Sequence, residues 1–218
     1  MEALNEFLEK IDFKQDTIFH SEDGKMYTSL WDKNGMYVCV GIYNSPFPIE
    51  KFILPPKTVM DMMSFATEIK QEDTDNGKIL RIKSLEVNGT INLHDSVGRE
   101  GAPKIEYIEK DTFIIKADMI TKILRAQTMF DSKLLIIKAI PNQNVSLIVK
   151  GSTPEQHMDF TINTALSSEI EVNLGHAVYD ILGKLTSFDV QVWVLNNKPV
   201  KFAITTNAFT VFFYVINE

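Results

Sequence analysis

The chain has 218 residues, of which 44% are hydrophobic and 23% are charged, and its mean hydropathy is -0.05. This balance excludes an intrinsically disordered chain, and the length allows one large domain or two small ones. The net charge of -7 excludes nucleic-acid binding through a bulk basic charge, so any such contact needs a local basic surface.

The pattern of the first half predicts a helix, a run of strands, a second helix and more strands. Apolar residues recur at i, i+3, i+4 and i+7 over residues 2–12, which is typical of an amphipathic helix. A second, short helix is predicted to begin at Pro55-Pro56, because proline is tolerated in a first helical turn. The apolar face of this helix carries Val59, Met62, Met63 and Ala66. The predicted strands are 26–31, 36–43, 51–54, 68–72, 78–84 and 90–94.

The second half predicts the same order again. A helix from Asp118 is expected to bury Ile120, Ile123, Leu124 and Gln127, and a later helix to bury Val178, Ile181, Leu182 and Leu185. The predicted strands are 112–116, 133–140, 144–150, 157–163, 170–174, 189–195, 200–205 and 209–216. This order favours an internal duplication of roughly 110 residues.

Periodicity stops between the halves, over residues 95–103, where glycine, proline and charge dominate. We therefore predict an α+β protein with an N-terminal domain over 1–94, a linker over 95–109 and a C-terminal domain over 110–218.

No catalytic or metal-binding signature is present, so the sequence predicts a non-enzymatic protein without a cofactor or metal. Gly183-Lys184 lacks the serine or threonine and the upstream glycine of a phosphate-binding loop. The four histidines are scattered singly, and Cys39 is interpreted as a buried strand residue. A single cysteine, with no apolar signal at the start and no membrane span, leads us to expect a cytoplasmic protein (the host cytoplasm if viral).

Several segments resemble sliding clamps, the ring-shaped processivity factors of DNA polymerases, and most closely the two-domain clamps of T-even-like bacteriophages. They are ALNEFLEKIDF, GKMYTSLWDKNGMYVCVGIY, EIKQEDTDNGKILRI, TFIIKADMITKILRAQ, NVSLIVKG, HMDFTIN, VQVWVLNNKPVKFAI and FTVFFYV. The resemblance implies a DNA-clamp fold with two helices per domain packed on antiparallel sheets. It also implies a homotrimer closed around duplex DNA without sequence preference, a DNA polymerase partner, and loading by a clamp loader ATPase.

The resemblance places the helices against the DNA, where lysine and arginine displace counterions from phosphates. The candidate DNA-binding residues are Lys10, Lys14, Lys57, Lys122, Arg125 and Lys184. Their faces also carry acids, including Glu9, Asp61 and Asp180, so a solvated helix face of mixed charge is an equal alternative for each residue.

The resemblance also implies an outer apolar pocket for short tail peptides of the polymerase and other partners. Its candidate residues are Ile105, Tyr107, Pro199, Phe212, Tyr214 and Ile216. Tyr214 is the first choice as an anchor, because its hydroxyl can stay in water while its ring packs on a peptide. The alternative is that these aromatic residues belong to the core of a terminal strand.

Family position further implies that the edge near 90–94 meets the edge near 157–163 of the next subunit. The alternative to a clamp is a non-catalytic virion or tail protein built from duplicated β-rich domains.

Overall fold

A computed structural model describes residues 2–47, 49–75, 77–86, 88–93 and 101–217. The chain divides into two compact units. Unit 1 contains the residues up to Asp32 together with Cys39–Ala102 and Thr205–Val211. Unit 2 contains Lys33–Val38, Pro103–Ile204 and the residues from Phe212 onward.

Among its described residues, the first half contains two helices and seven strands. In chain order they are α1 (Glu2–Ile11), β1 (Thr17–Glu22), β2 (Lys25–Trp31), β3 (Tyr37–Tyr43), β4 (Lys51–Leu54), α2 (Pro56–Phe65), β5 (Glu68–Thr74), β6 (Gly77–Lys83) and β7 (Asn88–Asn92).

The second half contains one strand more. In chain order the elements are β8 (Thr112–Ile115), α3 (Ala117–Phe130), β9 (Leu134–Ala139), β10 (Asn144–Lys150), β11 (His157–Ala165), β12 (Ile170–Leu174), α4 (Ala177–Lys184), β13 (Val190–Trp193), β14 (Val200–Thr205) and β15 (Phe209–Val215). With four helices and antiparallel sheets in the described residues, the protein has an α+β fold.

The two halves repeat one order of nine elements. From α1 to β7 and again from α3 to β15, the chain runs helix, four strands, helix, three strands. The sheets repeat as well, since the order β4-β1-β2-β3 corresponds to β12-β9-β10-β11, and β5-β6-β7 corresponds to β13-β14-β15. The starts of β2 and β10, at Lys25 and Asn144, differ by 119 positions. The repeat is therefore somewhat longer than the predicted 110 residues.

Each unit buries the apolar faces of its helices and strands. In unit 1 the Phe19 and Phe52 rings stack with centroids 4.7 Å apart, and the Phe7 and Phe209 rings lie 5.7 Å apart. Gly41 lies under the Phe7 ring, where an added Cβ would come within 2.7 Å of ring carbons. In unit 2, Val178, Ile181, Leu182 and Leu185 are all fully buried, which confirms the predicted face of α4.

Two local predictions need correction. The strand β1 was missed, because the polar run His20-Ser21-Glu22 hides its apolar start, and it pairs with β2 through a turn at Asp23 and Gly24. Both turn residues have positive φ, 50° and 75°, as a tight hairpin turn requires. On α3, Leu124 and Gln127 were expected in the core but are only partly buried, and Ala126 is buried instead.

The predicted linker lies partly outside the described residues, as does His94 at the end of the predicted strand 90–94. From Gly101 to Lys110 the chain forms no helix or strand. Within the described residues, no helix combines the length and the apolar character that crossing a membrane would require.

Candidate functional site

Unit 1 carries three of the candidate DNA-binding residues. Lys10 lies in the last turn of α1 and is partly buried, whereas Lys14 follows the helix and is exposed. Lys57, in the first turn of α2, lies with its Nζ 3.3 Å from Asp61 Oδ1, and both side chains are largely exposed. An exposed pair of this kind contributes little to stability, and it partly neutralises the Lys57 charge that a phosphate would meet.

Unit 2 carries the other three. Lys122 Nζ lies 2.9 Å from Asp118 Oδ2, and this lysine holds the pKa of Asp118 below its usual value through the hydrogen bond and the charge. Arg125, one turn further along α3, is exposed and forms no ion pair with any described residue. Lys184 lies in the last turn of α4. Arg125 is therefore the candidate cation on α3 whose charge is available to a phosphate without breaking a pair.

An apolar groove of about 490 Å³ lies beside Arg125. Its lining includes Leu124 and Met129, and Met129 is 68% exposed. The helix face of unit 2 is therefore of mixed character, with apolar and basic groups side by side. This agrees with the alternative of a mixed, solvated face as well as it does with DNA contact.

Two of the candidate pocket residues, Phe212 and Tyr214, lie around a lysine that the sequence did not single out. Lys201, on β14, places its Nζ 4.4 Å from the centre of the Trp193 ring, 4.4 Å from that of Phe212 and 6.0 Å from that of Tyr214. Trp193 and Lys201 are direct partners in the pairing of β13 with β14. We call Trp193, Lys201, Phe212 and Tyr214 the aromatic–lysine cluster.

The last part of the predicted linker is fixed beside this cluster. The Tyr107 hydroxyl donates a hydrogen bond to the Pro199 carbonyl oxygen at 2.8 Å. Burial raises the pKa of Tyr107, and the charge of Tyr214 adds to that effect. Ile105, two residues earlier, is partly buried. The structure thus joins Tyr107 to Pro199 and places Tyr107 close enough to Tyr214 for their charges to interact.

One pocket residue, Tyr214, differs from expectation. Tyr214 is only 6% exposed, and burial raises the pKa of its hydroxyl, so it does not present a wet hydroxyl and a free ring to a partner. Ile216, beyond the end of β15, is 47% exposed. Phe212 is partly buried and shares the outward face of β15, so Phe212 is the more accessible ring.

Lys201 has an unusual environment for a lysine. It forms no ion pair with any described residue, and burial lowers its pKa. The cation is stabilised instead by the negative faces of the rings around it. The alternation of residues along the strands could have indicated that Lys201 and Trp193 face outward. On β14, Val200 and Phe202 are buried, so Lys201, which lies between them, must face away from the core.

The buried carboxylate of Asp111, in unit 2, has a structural role. Asp111 is fully buried, and it accepts hydrogen bonds from the backbone N–H and the hydroxyl of both Ser167 and Ser168, at 2.5 to 3.2 Å. Burial opposes ionisation, but the four bonds outweigh it and lower the pKa of Asp111. All four donors belong to Ser167 and Ser168, so Asp111 fastens the start of β8 to the loop before β12.

Among the described residues, no three histidine, cysteine or acidic side chains group as a metal site would require. Comparison with known proteins adds no family assignment: no protein-family model matches the chain, and no curated protein matches its sequence.

Proposed function

We propose that this protein is a sliding clamp, a non-enzymatic ring that encircles duplex DNA and tethers a DNA polymerase during replication. The observation that carries the proposal is the repeated order of nine elements, with the same strand order in the corresponding sheets. A ring made of such repeats needs only one kind of junction, used many times.

The strand order within unit 1 indicates what that junction is. The neighbour of β3 is β15, whose residues 209–211 belong to unit 1, and the Asn44 backbone N–H donates to the Ala208 carbonyl at 2.8 Å. By the repeat, β3 corresponds to β11 and β15 corresponds to β7. The same junction can therefore form again between β11 of one copy and β7 of another.

Both of those strands are open edges. β11 ends the order β11-β10-β9-β12, and β7 ends the order β5-β6-β7. An open edge presents unpaired backbone groups that favour pairing with another chain. Head-to-tail pairing of β7 with β11 closes a ring when the rotation permits, and the family resemblance sets the number of copies at three.

The helices supply the DNA-facing groups in this proposal. Arg125 and the paired Lys57 and Lys122 make weak, sequence-independent contacts with phosphates. A closed ring tolerates weak contacts, because linkage around the duplex rather than affinity keeps it on the DNA. The polymerase docks at the aromatic–lysine cluster, and a separate clamp loader ATPase opens the ring.

The first test is the assembly state. Light scattering after size exclusion should give about 74 kDa, three times the chain mass of 24.8 kDa. Proline at an edge position removes a backbone donor, and alternate residues of β11 point their N–H groups outward. Asp159 and Phe160 are adjacent, so one of them points its N–H group away from β10, toward the open edge. We therefore expect at least one of Asp159→Pro and Phe160→Pro to give monomers.

Asp159→Ala and Phe160→Ala are the matched controls, because they change the same side chains but keep the backbone N–H donors. They should leave the assembly unchanged. Trimers that survive both proline variants would overturn the β7–β11 junction, and open polymers would favour the virion or tail alternative.

The second test addresses encirclement. No loader is needed if the ring assembles around the DNA, so the subunits are first dissociated by dilution and then concentrated with a nicked circular plasmid and an amine-reactive cross-linker. The trapped rings should stay bound at high salt and leave when the plasmid is cut. Rings that stay on the linear DNA, or never bind the circle, contradict the proposal.

A further inference from the structure

The aromatic–lysine cluster contains a cation whose partner is not supplied by the described part of this chain. Lys201 is partly buried between the Trp193 and Phe212 rings and forms no ion pair with a described residue. Within unit 2, the same face of β13 and β14 otherwise carries the neutral side chains Gln191 and Ala203. The surface is therefore apolar and aromatic, with one positive charge at its centre.

An unpaired, partly dehydrated ammonium selects an anion. Lysine has three N–H donors, and ring faces satisfy the charge only in part, so donors remain for a carboxylate. Such a charge-assisted hydrogen bond is stronger beside aromatic rings than in open water, because the local dielectric is lower. The rings themselves offer contact area to an apolar side chain next to that carboxylate.

We propose that Lys201 is a specificity-determining residue that reads a carboxylate, next to an aromatic or aliphatic anchor, in the peptide segment of a partner protein. The inference rests on the proposed function for the identity of the partner, which is the polymerase or another protein that uses the same site. Charge complementarity selects the peptide, because the rings bind its anchor and Lys201 binds its acid.

A nucleic acid fits this surface less well than a peptide. Single-stranded binders combine stacking rings with a basic groove that follows several phosphates. Here the face of β13, β14 and β15 has one cation, and the whole chain carries a net charge of -7. Oligonucleotide binding is therefore the competing outcome in the test.

The experiment uses a phage library of random 12-residue peptides selected on the full-length protein. The peptide that is most enriched is then synthesised with its acid intact and with the acid changed to the matching amide. Calorimetry on the wild-type protein should show that the amide version binds about tenfold more weakly, as expected for the loss of one charge-assisted bond.

Lys201→Met keeps the length and apolar stem of the side chain but removes the charge. It should bind both peptides equally and weakly, whereas Lys201→Arg should retain the preference for the acid. Lys198→Met, in the exposed turn beside the cluster, is the matched control and should behave as wild type. A melting curve for each variant shows whether it is folded.

The proposal is overturned if no peptide is enriched, if the wild-type protein binds the acid and amide versions equally, or if Lys201→Met keeps the preference. It is also overturned if a 12-residue oligothymidine binds more tightly than the best peptide and loses affinity on Lys201→Met. The wild-type comparison alone decides the matter should Lys201→Met fail to fold. Because the cluster lies within unit 2, its peptide preference is measurable even if the ring experiments fail, so the two failures are distinguishable.

Discussion

Removing the buried carboxylate of Asp111 should destabilise unit 2 more than any surface substitution. Asp111→Ala deletes the acceptor of four hydrogen bonds and leaves the backbone N–H groups of Ser167 and Ser168 without a partner. A buried donor left unsatisfied costs about 1–3 kcal/mol. The Ser167 side chain reaches water and both hydroxyls can reorient, so only the two N–H groups bear the cost. The expected loss is about 2–6 kcal/mol, twice the cost of one such donor.

The same carboxylate gives a pH dependence with a defined sign. Hydrogen bonds hold the pKa of folded Asp111 below its unfolded value, so its contribution is complete at neutral pH and is lost as the pH falls through the folded pKa. Asp111→Asn lacks the ionised form, so the gap in unfolding free energy between wild type and this variant should narrow from about pH 5 downward.

Urea unfolding followed by far-UV circular dichroism measures both effects, at pH 7 and at steps below pH 5. Asp16→Asn serves as the control, because Asp16 is exposed and no hydrogen bond or ion pair of its carboxylate is seen. It should change the free energy by less than about 0.5 kcal/mol. Equal stability of Asp111→Ala and wild type at pH 7, or a gap independent of pH for Asp111→Asn, would refute the reasoning.

Two further predictions use positions in the core and on the helices. Gly41→Ala should destabilise by about 1–3 kcal/mol, since its Cβ would lie 2.5 Å from the Thr28 hydroxyl oxygen, whereas Gly183→Ala, in open space on α4, should stabilise by about 0.5–1 kcal/mol in the same urea titrations. Equal effects at the two glycines would contradict the packing at Gly41. Lys122→Ala with Arg125→Ala should lower clamp-dependent DNA synthesis and weaken its salt dependence; stimulation of the polymerase equal to wild type at every salt concentration would exclude α3 from the DNA-facing surface.

The helices were predictable because each has one strongly apolar face, and α1 was predicted over 2–12 and observed as Glu2–Ile11. The strands other than β1 were predictable from their runs of apolar and β-branched residues. The pairing of the strands was not predictable. One sheet neighbour of β3, the strand β15, lies more than 160 residues later in the chain, beyond the reach of a local pattern. Burial on α3 was only partly right, because periodicity does not reveal whether a neighbouring element covers a given edge of the helix, and Leu124 lies at such an edge.

The candidate sites show the same limit. Exposed cations such as Arg125 could be named from the sequence, but their salt bridges depend on side-chain geometry, as with Lys122 and Asp118. Tyr214 was expected to be accessible and is buried, because alternation places a residue on a face without showing what covers that face. Lys201 was overlooked because a single lysine in a strand is usually a solvated surface residue. Only its position between the Trp193 and Phe212 rings distinguishes it.

The assignment of residues 205–211 to unit 1 has a consequence for synthesis on the ribosome. Unit 1 begins at the start of the chain, yet its part of β15, which lies next to β3, is the last part of unit 1 to be synthesised. Until it emerges, β3 has one unpaired edge, and an unpaired edge in a nascent chain is a site for aggregation. Domains generally fold from the N-terminus as they emerge, but unit 1 becomes complete only after nearly all of unit 2 has been translated. The unit whose synthesis begins first is therefore the one that completes its sheet late.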